Sequence, residues 1–151
     1  LVNTLNTSFR NNKSICEFAN SIYPNFEPCN YANNENTKHD GVFFINPADI
    51  DEYLHTFNPM QLRDKSTVSI NSNYPAMNFG ESKGATFDRV LLYPTTPMVS
   101  WILNHDSELK PQSKSKFYVA VTRAKYSVAI VFADMQKYNV AGVEKFQFYK
   151  E

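Results

Sequence analysis

Three short apolar runs stand out along the chain: Val42-Phe43-Phe44-Ile45, Val90-Leu91-Leu92 and Val128-Ala129-Ile130-Val131-Phe132. Each is apolar throughout and bounded by polar or turn residues, which is the pattern of strands covered on both faces. They predict strands over 41–46, 89–93 and 127–132. Between them the apolar spacing changes to the helical period. Ile15, Phe18, Ala19 and Ile22 predict a helix over 14–23, with Ser14 as its N-cap and Pro24 as its stop. Ile50, Tyr53, Leu54 and Phe57 give one apolar face to a helix entered through Pro47. Met98–Leu103 reads as a third helix, and Phe117, Ala120, Val121 and Ala124 mark a fourth over 117–125. Weaker signals add strands at Leu1–Leu5, at Ser66–Ile70 by alternation, and near Phe146–Tyr149. Residues 25–40, 71–81 and 104–116 read as polar connections. Strands alternating with helices predict an α/β domain in three layers, with a mainly parallel sheet and helices on both faces.

Composition narrows the class. The chain has 151 residues, 42% hydrophobic and 20% charged, enough for one domain with a sizeable core over 1–151. No internal repeat or low-complexity tract is visible. No apolar run approaches the ~18 residues of a membrane span, so no membrane association is expected. Residue 1 is Leu and no signal peptide is visible, so a processed product or a piece of a longer protein is expected. Cys16 and Cys29 lack CxxC spacing and read as free thiols in a reducing cytoplasm. His39, His55 and His105 show no ligand spacing with Cys or carboxylates, so no metal site is expected. Formal net charge is zero, but residues 17–64 hold eight acids and two bases, and residues 65–125 hold eight bases and four acids. A polyanion would meet the second stretch, whereas a solvated mixed surface is the plainer reading.

Two segments can carry chemistry. In Gly80-Glu81-Ser82-Lys83-Gly84-Ala85-Thr86 a turn with Lys and Gly feeds the strand that begins near Arg89. Gly84 allows close approach of backbone to a ligand, and Lys83 and Ser82 offer donors. A GxxxxGK[ST] phosphate loop occurs nowhere in the chain, so the main cradle of an ATPase is missing. In Lys116-Phe117-Tyr118-Val119-Ala120-Val121-Thr122-Arg123-Ala124-Lys125, Arg123 falls near a helix end just before a strand, which puts a fixed cationic fork at a sheet edge. The plain alternative is a surface arginine in an ion pair.

These segments resemble the motor motifs of UvrD/Rep-like superfamily 1 DNA helicases. Val119-Ala120-Val121-Thr122-Arg123-Ala124-Lys125 is similar to motif VI. Ser82-Lys83-Gly84-Ala85-Thr86-Phe87-Asp88-Arg89-Val90 is similar to motif V, and Leu5-Asn6-Thr7-Ser8-Phe9-Arg10-Asn11 to a relaxed motif IV. The three stand in the family's order. The resemblance implies a RecA-like (P-loop NTPase-like) second motor domain. It implies that Arg123 is the arginine finger and that Arg10 also reaches the γ-phosphate. By the same resemblance Lys83, Gly84 and Thr86 lie at the nucleotide, while Gly80, Glu81 and Ser82 border the nucleic-acid strand. Apart from the resemblance, Tyr74 by stacking and Lys116 by its charge are candidates for that strand, with core packing and a solvated loop as the plain alternatives. Gly80 replaces the family's usual His, and Thr86 its usual Glu. Lys-Gly-x-Thr is closer to the Pif1/RecD-like branch.

The motifs that hold ATP and Mg2+ are absent, so the resemblance implies that both are bound mainly by an N-terminal RecA-like half. This chain alone is expected to hold no cofactor and to hydrolyse no ATP. Partners implied are single-stranded or duplex DNA and that N-terminal half. The alternative is a non-catalytic nucleic-acid-binding or structural module derived from a helicase. Tyr74, Phe79 and Trp101 are candidates either for stacking on bases or for core packing. Asp49, Asp51 and Glu52 read as the acidic first turn of a helix.

Overall fold

The computed structural model describes residues 7–8, 11–25, 30–31 and 37–148. The strand expected at Leu1–Leu5 lies outside them. Strand β1 (Thr7–Ser8) pairs in parallel with β2 (Asn30–Tyr31). The main sheet is built from β3 (Gly41–Ile45), β4 (Met60–Arg63), β5 (Ala76–Asn78), β6 (Phe87–Leu92), β7 (Ala124–Val131) and β8 (Glu144–Phe146). Its six strands are all parallel, in the order β5-β4-β6-β7-β3-β8.

The three apolar runs occupy the three central positions β6, β7 and β3, where strands are covered on both faces. Val90, Leu91, Leu92, Val128, Ala129, Ile130 and Ile45 are all fully buried. Alternate side chains go to opposite faces. Val42, Phe44, Val90, Leu92, Val128 and Ile130 join the larger core with helices α1 (Lys13–Ile22), α3 (Thr96–Leu103) and α4 (Pro111–Thr122). Ile45, Leu91 and Ala129 face α2 (Ile50–Phe57), through Tyr53 and Leu54. Helices on both faces of a parallel sheet make the three-layer RecA-like α/β architecture.

Several boundaries differ from the sequence pattern. Helix α1 is capped by Asn12, whose side chain accepts from Ile15 N at 3.0 Å, rather than by Ser14. Pro47–Asp49 form a 3-10 turn before α2. Helix α4 begins at Pro111 and stops at Thr122, six residues earlier and three earlier than expected, because Pro fits the first helical position. No strand forms over Ser66–Ile70. Residues 64–68 turn instead, with Val68 N donating to Lys65 O at 3.0 Å. The strand is β4, just upstream, where Gln61 and Leu62 are fully buried between β5 and β6. The connection at 71–81 also contains β5 and a 3-10 turn at Phe79–Ser82. The last strand lies at Glu144–Phe146, slightly before its expected place. Among the described residues no helix is long and apolar enough to cross a membrane.

Candidate functional site

Helix α4 runs back against the parallel strands and ends at the amino end of β7. Arg123 is its C-cap. A helix C-terminus presents carbonyl groups without intrahelical partners, and a cationic side chain there is favoured by the helix dipole. Arg123 uses that position fully. Its Nε donates to Val119 O at 3.1 Å, its Nη2 to Thr122 Oγ1 at 3.2 Å and its Nη1 to Ala85 O at 3.3 Å. The side chain is half-buried, and its own carbonyl accepts from Phe87 N at 2.8 Å.

The turn at 83–86 therefore meets Arg123 at the amino ends of β6 and β7. Lys83, Gly84 and Thr86 are exposed there. Gly84 has φ +87°, and a Cβ on it would meet nothing within 4 Å, so glycine serves the left-handed turn rather than a tight space. Ala85 N donates to Ser82 O at 3.0 Å and closes the turn. Lys83 and Thr86 are the exposed donor-bearing residues of the turn whose Ala85 carbonyl accepts from the Arg123 guanidinium. Beside the turn lies an open depression of about 400 Å3, lined among others by Asn58, Met60, Thr86, Asp88 and Arg89.

The other expected residues separate. Ser82 is fully buried and its hydroxyl donates to Phe79 O at 2.7 Å, so the donor that the sequence offered to a ligand is used inside the turn. Gly80 and Glu81 are exposed, and Glu81 Oε1 accepts from Asn78 N at 2.9 Å as half of a capping box. Lys116 sits on α4 nearly two turns before Arg123 and pairs with Asp64 at 3.1 Å. Tyr74 packs against the α2-side core, across the sheet from α4, so it is not brought together with Lys116. Trp101 and Phe79 are core residues, 4% and 0% exposed. Trp101 packs edge-on to Phe18 and Phe117, and stacks on His105 with centroids 4.1 Å apart. Arg10 lies outside the described residues.

Two features at these amino strand ends carry no sequence signal strong enough to find them. One is Arg89, which bridges β6 to the turn at 37–40. It donates to Ser127 Oγ at 3.0 Å, to Thr37 Oγ1 at 3.0 Å and to His39 O. Behind it His39 is stacked between Phe43 and Phe57, with Nε2 2.7 Å from the Tyr53 hydroxyl. Burial first, and then the Arg89 charge, lower the His39 pKa to about 4. The other is the pair Asn11–Asn12, whose side chains bond to carbonyls on β7 and at the end of α4. Cys16 is buried, and Cys29 lies outside the described residues. Among the described residues no group of three His, Cys, Asp or Glu side chains is placed to hold a metal ion.

No protein-family model and no curated protein matches the chain. Solved structures do. The chain is similar to a PRRSV helicase, with a TM-score of 0.54 and 22% identity over 90% of this chain and 25% of that one. It is also similar to an arterivirus nonstructural protein 10 (helicase), with a TM-score of 0.50 and 20% identity over 87% of this chain and 26% of that one. The chain thus spans about a quarter of the length of these helicases. At this identity the likeness concerns the fold alone, an α/β fold that these helicases share.

Proposed function

We propose that the chain is the second RecA-like half of an ATP-driven, superfamily 1-type nucleic-acid helicase, with DNA as the strand that its motifs favour. In this reading Arg123 is the arginine finger. The observation that carries it is the meeting of Arg123 with the 83–86 turn at one end of the sheet, in a domain whose fold helicases share. ATP, held mainly by a first RecA-like half with its own phosphate loop and Mg2+, supplies the phosphoryl group that is transferred to water. This chain supplies the closing wall. Arg123 places a permanent positive charge toward the transferring phosphoryl, where charge develops, and such a fork is worth ~10³–10⁵ in rate. Lys83 and Thr86 flank it with an ammonium and a hydroxyl, and Arg10 is assigned to the same phosphate. Gly80 and Glu81, in the 3-10 turn before β6, and Lys116, on α4, are assigned to the nucleic-acid strand. Ser82 and Tyr74 carry no part of the strand contact in this reading. Alternate closing and opening of the two halves gives translocation.

The test is turnover by the protein that joins this chain to its first half. Arg123→Ala is expected to lower kcat by at least about 10³-fold with little change in KM for ATP. The isolated 151-residue chain is expected to show negligible turnover. An unchanged kcat in the variant removes Arg123 from its role.

One observation favours a second reading, a helicase-derived module without catalysis. Nε, Nη1 and Nη2 of Arg123 each already donate within the chain, as a brace across a helix end would. On that reading Arg123→Ala lowers the melting temperature and leaves nucleotide turnover untouched.

A further inference from the structure

Strand β7 starts before β3 reaches it. Ala124 pairs with Phe87 of β6, whereas pairing with β3 begins only at Ser127, opposite Gly41. Backbone carbonyls alternate sides along a strand. Arg123 O faces β6, where it accepts from Phe87 N. Ala124 O and Tyr126 O lie on the stretch of β7 that β3 does not cover. A buried carbonyl without a partner is costly. Side chains take the place of the strand: Asn11 Nδ2 donates to Ala124 O at 2.6 Å, and Asn12 Nδ2 to Tyr126 O at 2.8 Å.

Asn11 does more than complete the sheet margin. Its Nδ2 also donates to Thr122 O at 3.0 Å, one of the last carbonyls of α4. Both of its acceptors are carbonyl oxygens, so the amide orientation is fixed: the NH2 group must face them. The side chain is 2% exposed. Its two acceptors lie immediately before and after Arg123, and so hold the backbone on either side of that residue. Asn12, through its Oδ1 cap on Ile15 N, ties the same dipeptide to the start of α1.

We infer that Asn11 is a positioning residue for Arg123. It touches no ligand. By fixing the helix-to-strand junction it sets the direction in which the guanidinium leaves the backbone. This rests on the role proposed for Arg123.

The test is a double-mutant cycle on ATP turnover by the protein that joins this chain to its first half. Asn11→Ala is expected to lower kcat by roughly 10- to 100-fold, the scale of a misplaced catalytic group, with KM for ATP within about twofold. In an Arg123→Ala background the same change is expected to have no further effect on kcat, because a residue that acts only through Arg123 has nothing left to position. Multiplying losses, or an Asn11→Ala variant with a lower melting temperature and full kcat, overturn the inference. If the alanine variant does not fold, Asn11→Ser is expected to shift kcat in the same direction by less. On the 151-residue chain itself, the Arg123 Nε–H NMR resonance is expected to lose its protection from exchange in the Asn11 variant, and an unaltered resonance counts against the inference. If Arg123→Ala leaves kcat intact, the proposed function falls and takes this inference with it. If Arg123→Ala abolishes turnover while Asn11→Ala does not, the inference alone falls.

Discussion

Arg123 Nη1 donates to the carbonyl oxygen of Ala85 at 3.3 Å, a bond between residues 38 positions apart in the chain. It joins two segments that the sequence presents separately, the turn before β6 and the cap of α4. The position of the guanidinium therefore depends on the shape of the 83–86 turn, and that shape depends on Gly84.

Replacing Gly84 by Ala is expected to destabilise the domain by about 1–2 kcal/mol, the cost of a left-handed conformation for a residue with a Cβ. Nothing lies within 4 Å of that Cβ, so crowding adds nothing. Gly84→Asn is expected to cost less. Urea unfolding monitored by fluorescence reads both, and equal stability of all three proteins contradicts this account of the turn.

Lys116 gives a salt-dependent expectation. If it borders the strand, Lys116→Gln is expected to reduce the slope of log K against log salt by about 0.7 for single-stranded DNA. Its partner Asp64 competes for the same ammonium, and both groups are partly exposed. Asp64→Asn is therefore expected to strengthen binding by no more than about fivefold. Fluorescence anisotropy at several salt concentrations measures both. A slope unmoved by Lys116→Gln takes that residue off the strand path.

The buried His39 sets a pH dependence. Its pKa is near 4 in the folded chain and 6.5 when unfolded. Between these values the unfolded state binds the extra proton, so stability rises with pH through that window and is lost as pH falls from 6.5 toward 4. Asp40, which opposes the shift, and Arg89, which adds to it, are the charges acting on the ring. The loss is on the order of 2–3 kcal/mol. Urea midpoints measured from pH 7 to 4 are expected to fall in the parent and to flatten in His39→Gln. Parallel curves for the two proteins would assign the loss to other groups.

Gln61 is fully buried in β4 and uses both ends of its amide. Nε2 donates to Asn71 O at 2.9 Å and Tyr74 O at 3.3 Å, while Oε1 accepts from Asn71 N at 3.2 Å and from the Tyr93 hydroxyl at 2.6 Å. Gln61→Leu keeps the bulk but strands these partners, so a loss of about 2–4 kcal/mol is expected in chemical denaturation. A variant as stable as the parent would mean that the 71–74 turn satisfies itself elsewhere.

Gln61 also explains what sequence patterning missed. A buried strand written Met-Gln-Leu-Arg carries no apolar run, because its polar members bond inward to a turn that follows. Ser66–Ile70 alternates as an edge strand does, yet the chain needs those residues to turn. The same blindness hid Asn11 and Asn12, which sit in the polar stretch just before α1, and Arg89, which reads as one charged residue inside a strand. Tyr74 and Ser82 show the reverse. Both are polar-capable residues in a loop-like segment, and the fold turns one toward the α2-side core and spends the other's hydroxyl on a neighbouring carbonyl.

The three buried central strands, the helices between them and the placing of Arg123 near a helix end were determined by the sequence alone. Hydrophobic period and residue type are local, and each records its own element's surroundings. Which strands adjoin, that β7 outruns β3, and that Asn11, Ala85 and Arg123 meet were decided only by the tertiary structure. These depend on sheet order and register, which bring together residues far apart in the chain, and no local pattern encodes that distance.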